Sequence, residues 1–264
     1  MQHFVWNINP ILLEFGFLKI RWYGAMFATA FVFCYSMMQW VYQREGKDVE
    51  ELDRLLWYTA IGTVLGARLA HVFIYDPAFY LAHPSKILAI WEGGLASHGA
   101  NIGILLALYF YKRGTDYSYL WLLDRVAFPC AMGGCFIRIG NFFNSEILGT
   151  VTNQPWGIIF ARVDDLPRHP VQLYEAFCYA LIFFILLQVY KKTYDKPIRG
   201  LIFGLFTTLV FLVRIFLEFF KTEQAMYESD LPLTTGQLLS VPFVLVGIGF
   251  VIWSLINYRK AICQ

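Results

Sequence analysis

Residues 200–220 read GLIFGLFTTLVFLVRIFLEFF, and they carry charge only at Arg214 and Glu218. A bilayer core about 30 Å thick needs roughly 20 apolar residues to be crossed by a helix. The stretch therefore predicts a transmembrane helix. Six further runs have the same character, at residues 17–42, 52–75, 95–111, 118–137, 171–190 and 237–258. We expect an all-α polytopic membrane protein with seven transmembrane helices, forming a single integral membrane domain over residues 1–264.

The overall composition agrees with this fold class. Hydrophobic residues make up 58% of the 264-residue chain and charged residues 15%, and the mean hydropathy is +0.52. These values exclude a disordered chain and argue against an ordinary soluble enzyme. The net charge of +2 excludes a protein that binds nucleic acid through a concentrated basic surface. The five cysteines form no C-x-x-C pair, which favours packing residues over a disulfide framework or a zinc site.

Three pairs of glycines have the small-x-x-x-small spacing. They are Gly62 with Gly66, Gly99 with Gly103, and Gly200 with Gly204. In membrane helices this spacing is typical of a close approach between two backbones, so it predicts tight helix packing at these positions.

Lysine and arginine are distributed unevenly between alternate connections, and this bias predicts the orientation. The basic connections follow the first, third and fifth runs, and the C-terminal tail is basic as well. Their residues are Arg44, Lys47, Arg54, Lys112, Arg113, Lys191, Lys192, Lys196, Arg199, Arg259 and Lys260. Because basic connections stay in the cytoplasm, we expect the N-terminus outside, the C-terminus in the cytoplasm, and residues 138–170 as an extracytoplasmic connection.

Polar side chains gather at the outer ends of six predicted helices. They include Tyr23, Arg68, His98, Arg138, Asn141, Asn144, Glu146, Gln172, Tyr174, Glu175, Arg214 and Glu218. A charged side chain within hydrocarbon costs at least about 2.5–3.5 kcal/mol, so it normally faces a cavity or a partner. Taken singly, each could equally snorkel to the headgroups or pair structurally, as Arg214 could with Glu218 at i,i+4. Their concentration on one side favours a cavity that opens at the outer leaflet.

The residue types in this cluster suit a phospholipid. The guanidinium forks of Arg68, Arg138 and Arg214 can bind a phosphate bidentately. Amide side chains can orient the remaining oxygens or glycerol hydroxyls, and the surrounding Phe, Leu and Ile residues suit acyl chains. These features predict a phospholipid headgroup site, and by themselves they leave open whether the protein is an enzyme.

Residues 138–149 read RIGNFFNSEILG, which resembles the signature of bacterial phosphatidylglycerol–prolipoprotein diacylglyceryl transferases. Shorter matches follow the order of that family along nearly the whole chain, at Arg21–Gly24, Gly66–Arg68, Trp91–Gly94, Ser97–Gly99, Arg168–Glu175, Arg214–Phe220 and Gly236–Gln237. One departure is Lys221, which stands where an arginine is common. We expect this departure to weaken one phosphate contact.

The resemblance implies a transferase of the bacterial cytoplasmic (inner) membrane with its active site toward the outer leaflet. Such an enzyme moves the diacylglyceryl group of phosphatidylglycerol onto the lipobox cysteine thiol of a prolipoprotein, and it releases glycerol phosphate. The expected partners are therefore phosphatidylglycerol, prolipoprotein lipobox peptides and membrane lipids, with no nucleic acid. Because the substrate supplies the sulfur nucleophile, no enzyme nucleophile, metal or cofactor is expected.

The chemistry assigns roles to the clustered residues. A departing phosphate needs cationic donors, so Arg138 and Arg214 are the expected catalytic residues. His98 is the best general base, although the sequence favours this role no more than a hydrogen bond to the lipid. Glu218 is expected to orient Arg214. The predicted substrate-binding residues are Tyr23, Arg68, Asn141, Asn144, Glu146, Gly149, Gln172, Tyr174 and Glu218.

Two other functional classes make different demands on the sequence. A transporter would carry polar residues through the full depth of the membrane, whereas here they stop near the outer half. A phospholipid hydrolase or phosphatase would need a Ser/His/Asp arrangement or paired carboxylates for a metal, and the sequence offers no convincing set at the outer face.

The orientation can be tested by labelling single cysteines in an otherwise cysteine-free variant. We expect an impermeant thiol reagent to label Val163→Cys from outside intact cells and to spare Lys192→Cys. The opposite pattern would invert the proposed orientation.

Overall fold

Each of the seven predicted intervals contains a long helix in the computed structural model, which describes residues 3–16, 18–89, 94, 96–222 and 234–262. The long helices are α1 (Trp22–Arg44), α2 (Glu50–Ala70), α4 (Ser97–Arg113), α5 (Tyr119–Asn144), α6 (Val171–Thr193), α7 (Leu201–Glu218) and α8 (Thr235–Ile262). A short helix, α3 (Pro77–Ala82), lies between a π-helical turn at His71–Tyr75 and a 3₁₀ helix at Pro84–Leu88. The protein is therefore mostly helical, as predicted.

Five of these helices are long and apolar enough to cross a membrane. Among the described residues they are α1, α5, α6, α7 and the part of α8 from Gly236 to Ile262. Helix α2 carries Glu50, Glu51 and Asp53 in its first turn, and α4 has only 17 residues. The count of seven transmembrane helices stays a prediction.

The all-α prediction is wrong in one respect, because the described residues also form five short strands. They are β1 (Phe4–Trp6), β2 (Ile11–Phe15), β3 (Leu18–Arg21), β4 (Ile158–Phe160) and β5 (Pro167–Arg168). Strands β2 and β3 form an antiparallel hairpin, while β4 pairs with β1 in parallel and with β5 antiparallel. None exceeds five residues, which is too short for alternating hydrophobicity to reveal them in the sequence.

The chain divides into two compact units, of which the first contains residues 1–37 and 124–264. Its small sheet packs on the end of α5 through Phe142, Ile158 and Phe160, with Trp6 and Leu148 against them. The rings of Trp6 and Phe142 lie 4.3 Å apart between centroids. These aromatic contacts attach the N-terminal strand to the segment that follows α5.

Helices α7 and α8 of the first unit approach through glycine. A Cβ atom added to Gly204 would lie 3.0 Å from the carbonyl oxygen of Gly247 and 2.9 Å from the backbone nitrogen of Val251. A side chain at Gly204 would therefore force the two backbones apart. This contact confirms the tight packing predicted from the spacing of Gly200 and Gly204.

The second unit contains residues 38–123, and its main contact is between α2 and α4. A Cβ atom on Gly62 would lie 2.6 Å from the carbonyl oxygen of Gly103, and one on Gly66 would overlap the carbonyl of Gly99. Both glycine pairs predicted from the sequence thus face each other. Their missing side chains allow the two backbones to touch.

A buried carboxylate caps α7 from the side of α5. Asp124 is 1% exposed, and its two oxygens accept hydrogen bonds from the backbone N–H groups of Gly200 at 2.7 Å and Phe203 at 2.9 Å. Gly200, the residue before the helix, has a φ of 85°, which glycine adopts without strain. Because the first N–H groups of a helix have no partner within it, Asp124 satisfies two of them.

Replacing this carboxylate should destabilise the protein. We expect Asp124→Ala to lower the free energy of unfolding by about 1–3 kcal/mol, because buried N–H groups lose their acceptor. Asp124→Asn keeps one acceptor oxygen and should lose less. Thermal unfolding in detergent measures both, with the exposed Asp165→Ala as a control that should stay within about 0.5 kcal/mol. An unchanged midpoint for Asp124→Ala would contradict this capping role.

Candidate functional site

The candidate site lies in the first unit, at the turn that follows α5. Ser145 and Ile147, on either side of Glu146, both have a φ of 57° in the left-handed region. Such a conformation costs a non-glycine residue of order 1–3 kcal/mol and persists only where the surroundings enforce it. The backbone N–H of Glu146 donates to the carbonyl of Asn141 at 3.0 Å, which closes the end of the helix. This turn fixes the position of Glu146 relative to α5.

A chain of polar side chains runs from α5 to this turn. Nη1 of Arg138 donates to Oδ1 of Asn141 at 3.3 Å, and Nδ2 of Asn141 donates to Oε2 of Glu146 at 3.3 Å. Nδ2 of Asn144 donates to Oε1 of Glu146 at 3.0 Å. Asn141 is buried, whereas Glu146 is exposed. The structure thus brings four of the predicted site residues together, and all four come from residues 138–149.

Gln172 connects α6 to the same turn. It is fully buried, and its Nε2 donates to the backbone carbonyl of Glu146 at 2.6 Å. Its Oε1 and the hydroxyl of Ser145 are also buried, and neither has a hydrogen-bond partner in the described part of the chain. The predicted role of Gln172 at the site therefore includes holding the backbone of the turn.

A buried network of ion pairs lies behind the polar chain. Nε of Arg138 is 2.9 Å from Oε2 of Glu175 on α6, whose side chain is fully buried. Nζ of Lys221 is 3.0 Å from the other Glu175 oxygen and 3.1 Å from Oε2 of Glu218. The network therefore joins α5, α6 and the end of α7. The predicted binding set omitted Glu175 and Lys221, although a carboxylate inside an apolar helix is itself a signal.

The described contacts differ from the expected pairing of Glu218 with Arg214, while the expected phosphate contact of Lys221 stays a prediction. Glu218 pairs with Lys221, and no ion pair joins it to Arg214 within the residues that the structure describes. Lys221, expected to be a weakened phosphate contact, lies with its side chain 6% exposed between two carboxylates. Each of these pairings depends on which segments meet in space, and spacing along one helix does not show it.

The two expected catalytic arginines lie near one tyrosine. Tyr179 of α6 is buried and interacts electrostatically with both Arg138 and Arg214. Nε of Arg214 is buried without a hydrogen-bond partner in the described part of the chain. Its guanidinium carbon lies 5.9 Å from the ring centroid of Phe211. Arg214 therefore holds a charge that no described carboxylate pairs with.

Tyr23 of α1 lies against the same part of α5. A Cβ atom on Gly140 would be 3.1 Å from the Tyr23 ring, so glycine allows the two helices to approach here. Tyr23 also lies within electrostatic range of Arg138 and Glu146. The structure thus places this predicted binding residue next to the polar chain.

Gly149, one of the predicted substrate-binding residues, makes a close backbone approach to His169 of the same chain. Its N–H donates to the carbonyl of His169 at 3.1 Å, and a Cβ atom added to it would overlap that carbonyl. Nη1 of Arg168 donates to the carbonyl of Gly149 at 3.2 Å, while its Nε and Nη2 bind Asp164. These hydrogen bonds from Arg168 lower the pKa of the Asp164 carboxyl below its usual value.

Tyr174 belongs to an aromatic group beside Gly149. Its hydroxyl accepts a hydrogen bond from Nε1 of Trp156 at 2.9 Å and lies 3.2 Å from Nδ1 of His169. Because indole only donates, the Tyr174 oxygen accepts from Trp156, which leaves the Tyr174 proton able to go to Nδ1 of a neutral His169 protonated on Nε2. Burial lowers the pKa of His169, which favours this neutral form. The Tyr174 hydroxyl, predicted to bind substrate, thus holds protein groups.

Arg68, predicted to bind substrate, lies in the second unit and contacts the backbone. It is 4% exposed, and its guanidinium lies 5.0 Å from the ring centroid of Tyr80. Its donors bind the backbone carbonyls of Lys86, Ile87, Ala89 and Gly94 at 2.5, 2.9, 3.3 and 3.1 Å, respectively. Arg68 therefore secures the segment before α4, and its donors are engaged with that segment.

The expected general base cannot be located in the same way. His98 lies in the first turn of α4, but its side chain is outside the described residues, as are residues 91–93 of the neighbouring motif. Its role stays a prediction.

Comparison with known proteins agrees with the resemblance seen in the signature. The family model described as prolipoprotein diacylglyceryl transferase matches residues 10–253. A phosphatidylglycerol–prolipoprotein diacylglyceryl transferase of Tolumonas auensis is 56% identical over 244 residues, which cover 92% of this chain and 94% of the relative. Proteins of the same name from Chloroherpeton thalassium and Bacteroides fragilis are 49% and 40% identical, over 94% and 93% of this chain and 92% and 93% of theirs. The chain belongs to the prolipoprotein diacylglyceryl transferase family.

Proposed function

We propose that the protein transfers the diacylglyceryl group of phosphatidylglycerol to the lipobox cysteine thiol of prolipoproteins. The names of its relatives give the transferred group, the lipid and the prolipoprotein for those enzymes. The observation that carries this proposal is the polar chain from Arg138 through Asn141 to Glu146, which lies within the family signature. A buried guanidinium held from two sides is the kind of donor that a leaving phosphate requires.

The proposed reaction exchanges one bond for another. The cysteine sulfur forms a bond to the glycerol carbon of the lipid, and the bond between that carbon and the phosphate oxygen breaks. The bonding electrons leave with the phosphate oxygen, so glycerol phosphate departs, and the thiol proton passes to a base. No nucleophile from the enzyme takes part, since the peptide supplies the sulfur.

The residues divide into catalytic residues, residues that position the headgroup and supporting residues under this proposal. Arg138 and Arg214 stabilise the charge on the phosphate, which their common proximity to Tyr179 supports. His98 is the proposed base. The headgroup is positioned by Tyr23, Asn141, Asn144, Glu146, Gly149 and Gln172. We assign Arg68, Tyr174 and Glu218 to the supporting structure, because their polar groups are engaged with other parts of the protein.

We place the protein in the cytoplasmic (inner) membrane as one integral domain, with seven transmembrane helices and the N-terminus outside. Five apolar helices and the bias of Lys and Arg toward alternate connections support this arrangement. Residues 138–170 are then extracytoplasmic, and the active site faces the outer leaflet. Both phosphatidylglycerol and the lipobox peptide are available on that side.

Removing the Arg138 charge tests its proposed role in stabilising the leaving phosphate. With purified protein, labelled phosphatidylglycerol and a lipobox peptide, we expect Arg138→Gln to slow transfer by about 10²–10³-fold. An amide supplies no positive charge to the leaving phosphate. The control is Arg162→Gln, which removes an exposed arginine outside the site and should transfer normally. Near-normal turnover of Arg138→Gln would remove Arg138 from the mechanism.

A pH series distinguishes a base at position 98 from a lipid ligand. Glutamine can hydrogen-bond but cannot accept a proton near neutral pH, so His98→Gln should bind lipid and turn over about 10²–10⁴-fold more slowly. Raising the pH toward the thiol pKa of about 8.5 should partly restore its rate, because more substrate becomes thiolate. Turnover and lipid binding are measured from pH 6 to pH 9. An equal loss at every pH, together with weak lipid binding, would make His98 a headgroup ligand.

A further inference from the structure

Glu175 is a fully buried carboxylate that contacts a cation on each side. Oε2 lies 2.9 Å from Nε of Arg138, and Oε1 lies 3.0 Å from Nζ of Lys221. The three residues come from α5, from α6 and from the residues that follow α7. A buried carboxylate is costly unless it is paired, so neither cation can be removed without consequence.

The contact on Nε determines how the guanidinium of Arg138 is held. Glu175 binds its inner nitrogen, and Asn141 accepts from Nη1 at 3.3 Å. Two anchors on different nitrogens fix the plane of the group as well as its position. A donor group fixed before the reaction loses nothing to reorganisation when charge develops.

The local charges balance around Glu175. Arg138 and Lys221 provide two positive charges, and Glu175 and Glu218 provide two negative charges. Arg214 adds a positive charge that no described carboxylate pairs with. The network around Glu175 is thus neutral in itself and holds Arg138 in place, while Arg214 and Glu146 add one charge of each sign near the site.

We propose that Glu175 is a positioning residue for the transfer reaction, which orients Arg138 through Nε while Lys221 serves as its counter-ion. The proposal rests on the function of Arg138 given above. Glu175 does not touch the substrate and acts only through Arg138. Lys221 suits its own role because a compact ammonium can approach two carboxylates at once, as its distances of 3.0 and 3.1 Å show.

The test must separate positioning from charge balance. Glu175→Gln removes the carboxylate and leaves an uncompensated cation, so we expect both lower thermal stability and a kcat about 10²-fold lower, with KM for phosphatidylglycerol within about threefold of wild type. Glu175→Gln combined with Lys221→Met removes one charge of each sign. This double variant should recover thermal stability while kcat stays low, because Arg138 is still without its Nε partner.

Recovery of kcat in the double variant would overturn the proposal, because Glu175 would then act only as a counter-charge. If Glu175→Gln alone does not fold, kcat can still be measured on the charge-balanced double variant. The matched control is Glu14→Gln, which removes a carboxylate from an exposed pair with Lys19 and should leave kcat unchanged.

A comparison with Arg138 separates this proposal from the proposed function. Because Glu175 acts through Arg138, combining Glu175→Gln with Arg138→Gln should be no slower than Arg138→Gln alone. Additive losses would give Glu175 a role of its own and contradict the proposal. If Arg138→Gln transfers slowly and Glu175→Gln transfers normally, only the positioning role of Glu175 is rejected. If Arg138→Gln transfers normally, the proposed role of Arg138 in stabilising the leaving phosphate is rejected.

Discussion

The pairing of Glu175 with Arg138 and Lys221 constrains the arrangement of the first unit. A carboxylate without solvent exposure requires cations within a few ångströms, and here they come from separate parts of the chain. Helix α6 therefore has to lie against α5 and against the end of α7. The ion pair that satisfies Glu175 also holds Nε of Arg138, whose Nη1 donates to Asn141, so the buried network and the candidate site share Arg138.

The turn after α5 shows how the surrounding structure maintains a strained conformation. Ser145 and Ile147 both adopt left-handed backbone angles, which are unfavourable for these residues in a free peptide. Gln172 holds the Glu146 carbonyl from α6, and the small sheet packs against Phe142 just before the turn. These contacts keep the Glu146 side chain within reach of the amides on α5. The short strands thus support the site, although none of the predicted site residues lies in them.

The second unit uses its polar residues differently. Between α2 and α4 the backbones touch through glycines, which leaves little room for side chains at that interface. Arg68, at the end of α2, donates to the backbone carbonyls of Lys86 and Ile87. Unpaired carbonyl groups away from water are unfavourable, so a buried arginine with several donors stabilises this segment. Arg68, one of three arginines predicted to bind a phosphate, thus contacts backbone carbonyls of its own unit.

The sequence alone was sufficient to predict the helices, the close glycine contacts between helices and the family. Apolar runs of about 20 residues determine helices through local periodicity, and residues 138–149 bring Arg138, Asn141, Asn144 and Glu146 together because neighbours on one helix end stay close in space. Strands of two to five residues carry too little periodicity to be seen.

Only the tertiary structure decided the roles of the isolated charges. Arg68 and Arg138 look alike in sequence, since each is an arginine in an apolar helix, yet one binds backbone carbonyls and the other binds Glu175. Glu218 was expected to meet Arg214 four residues earlier and instead meets Lys221 three residues later. An ion pair forms over about 3 Å, and the segments that supply Glu175 and its partners lie 37 and 46 residues apart (175 − 138 and 221 − 175). Contacts over that range depend on how the helices pack, which no local pattern in the chain specifies.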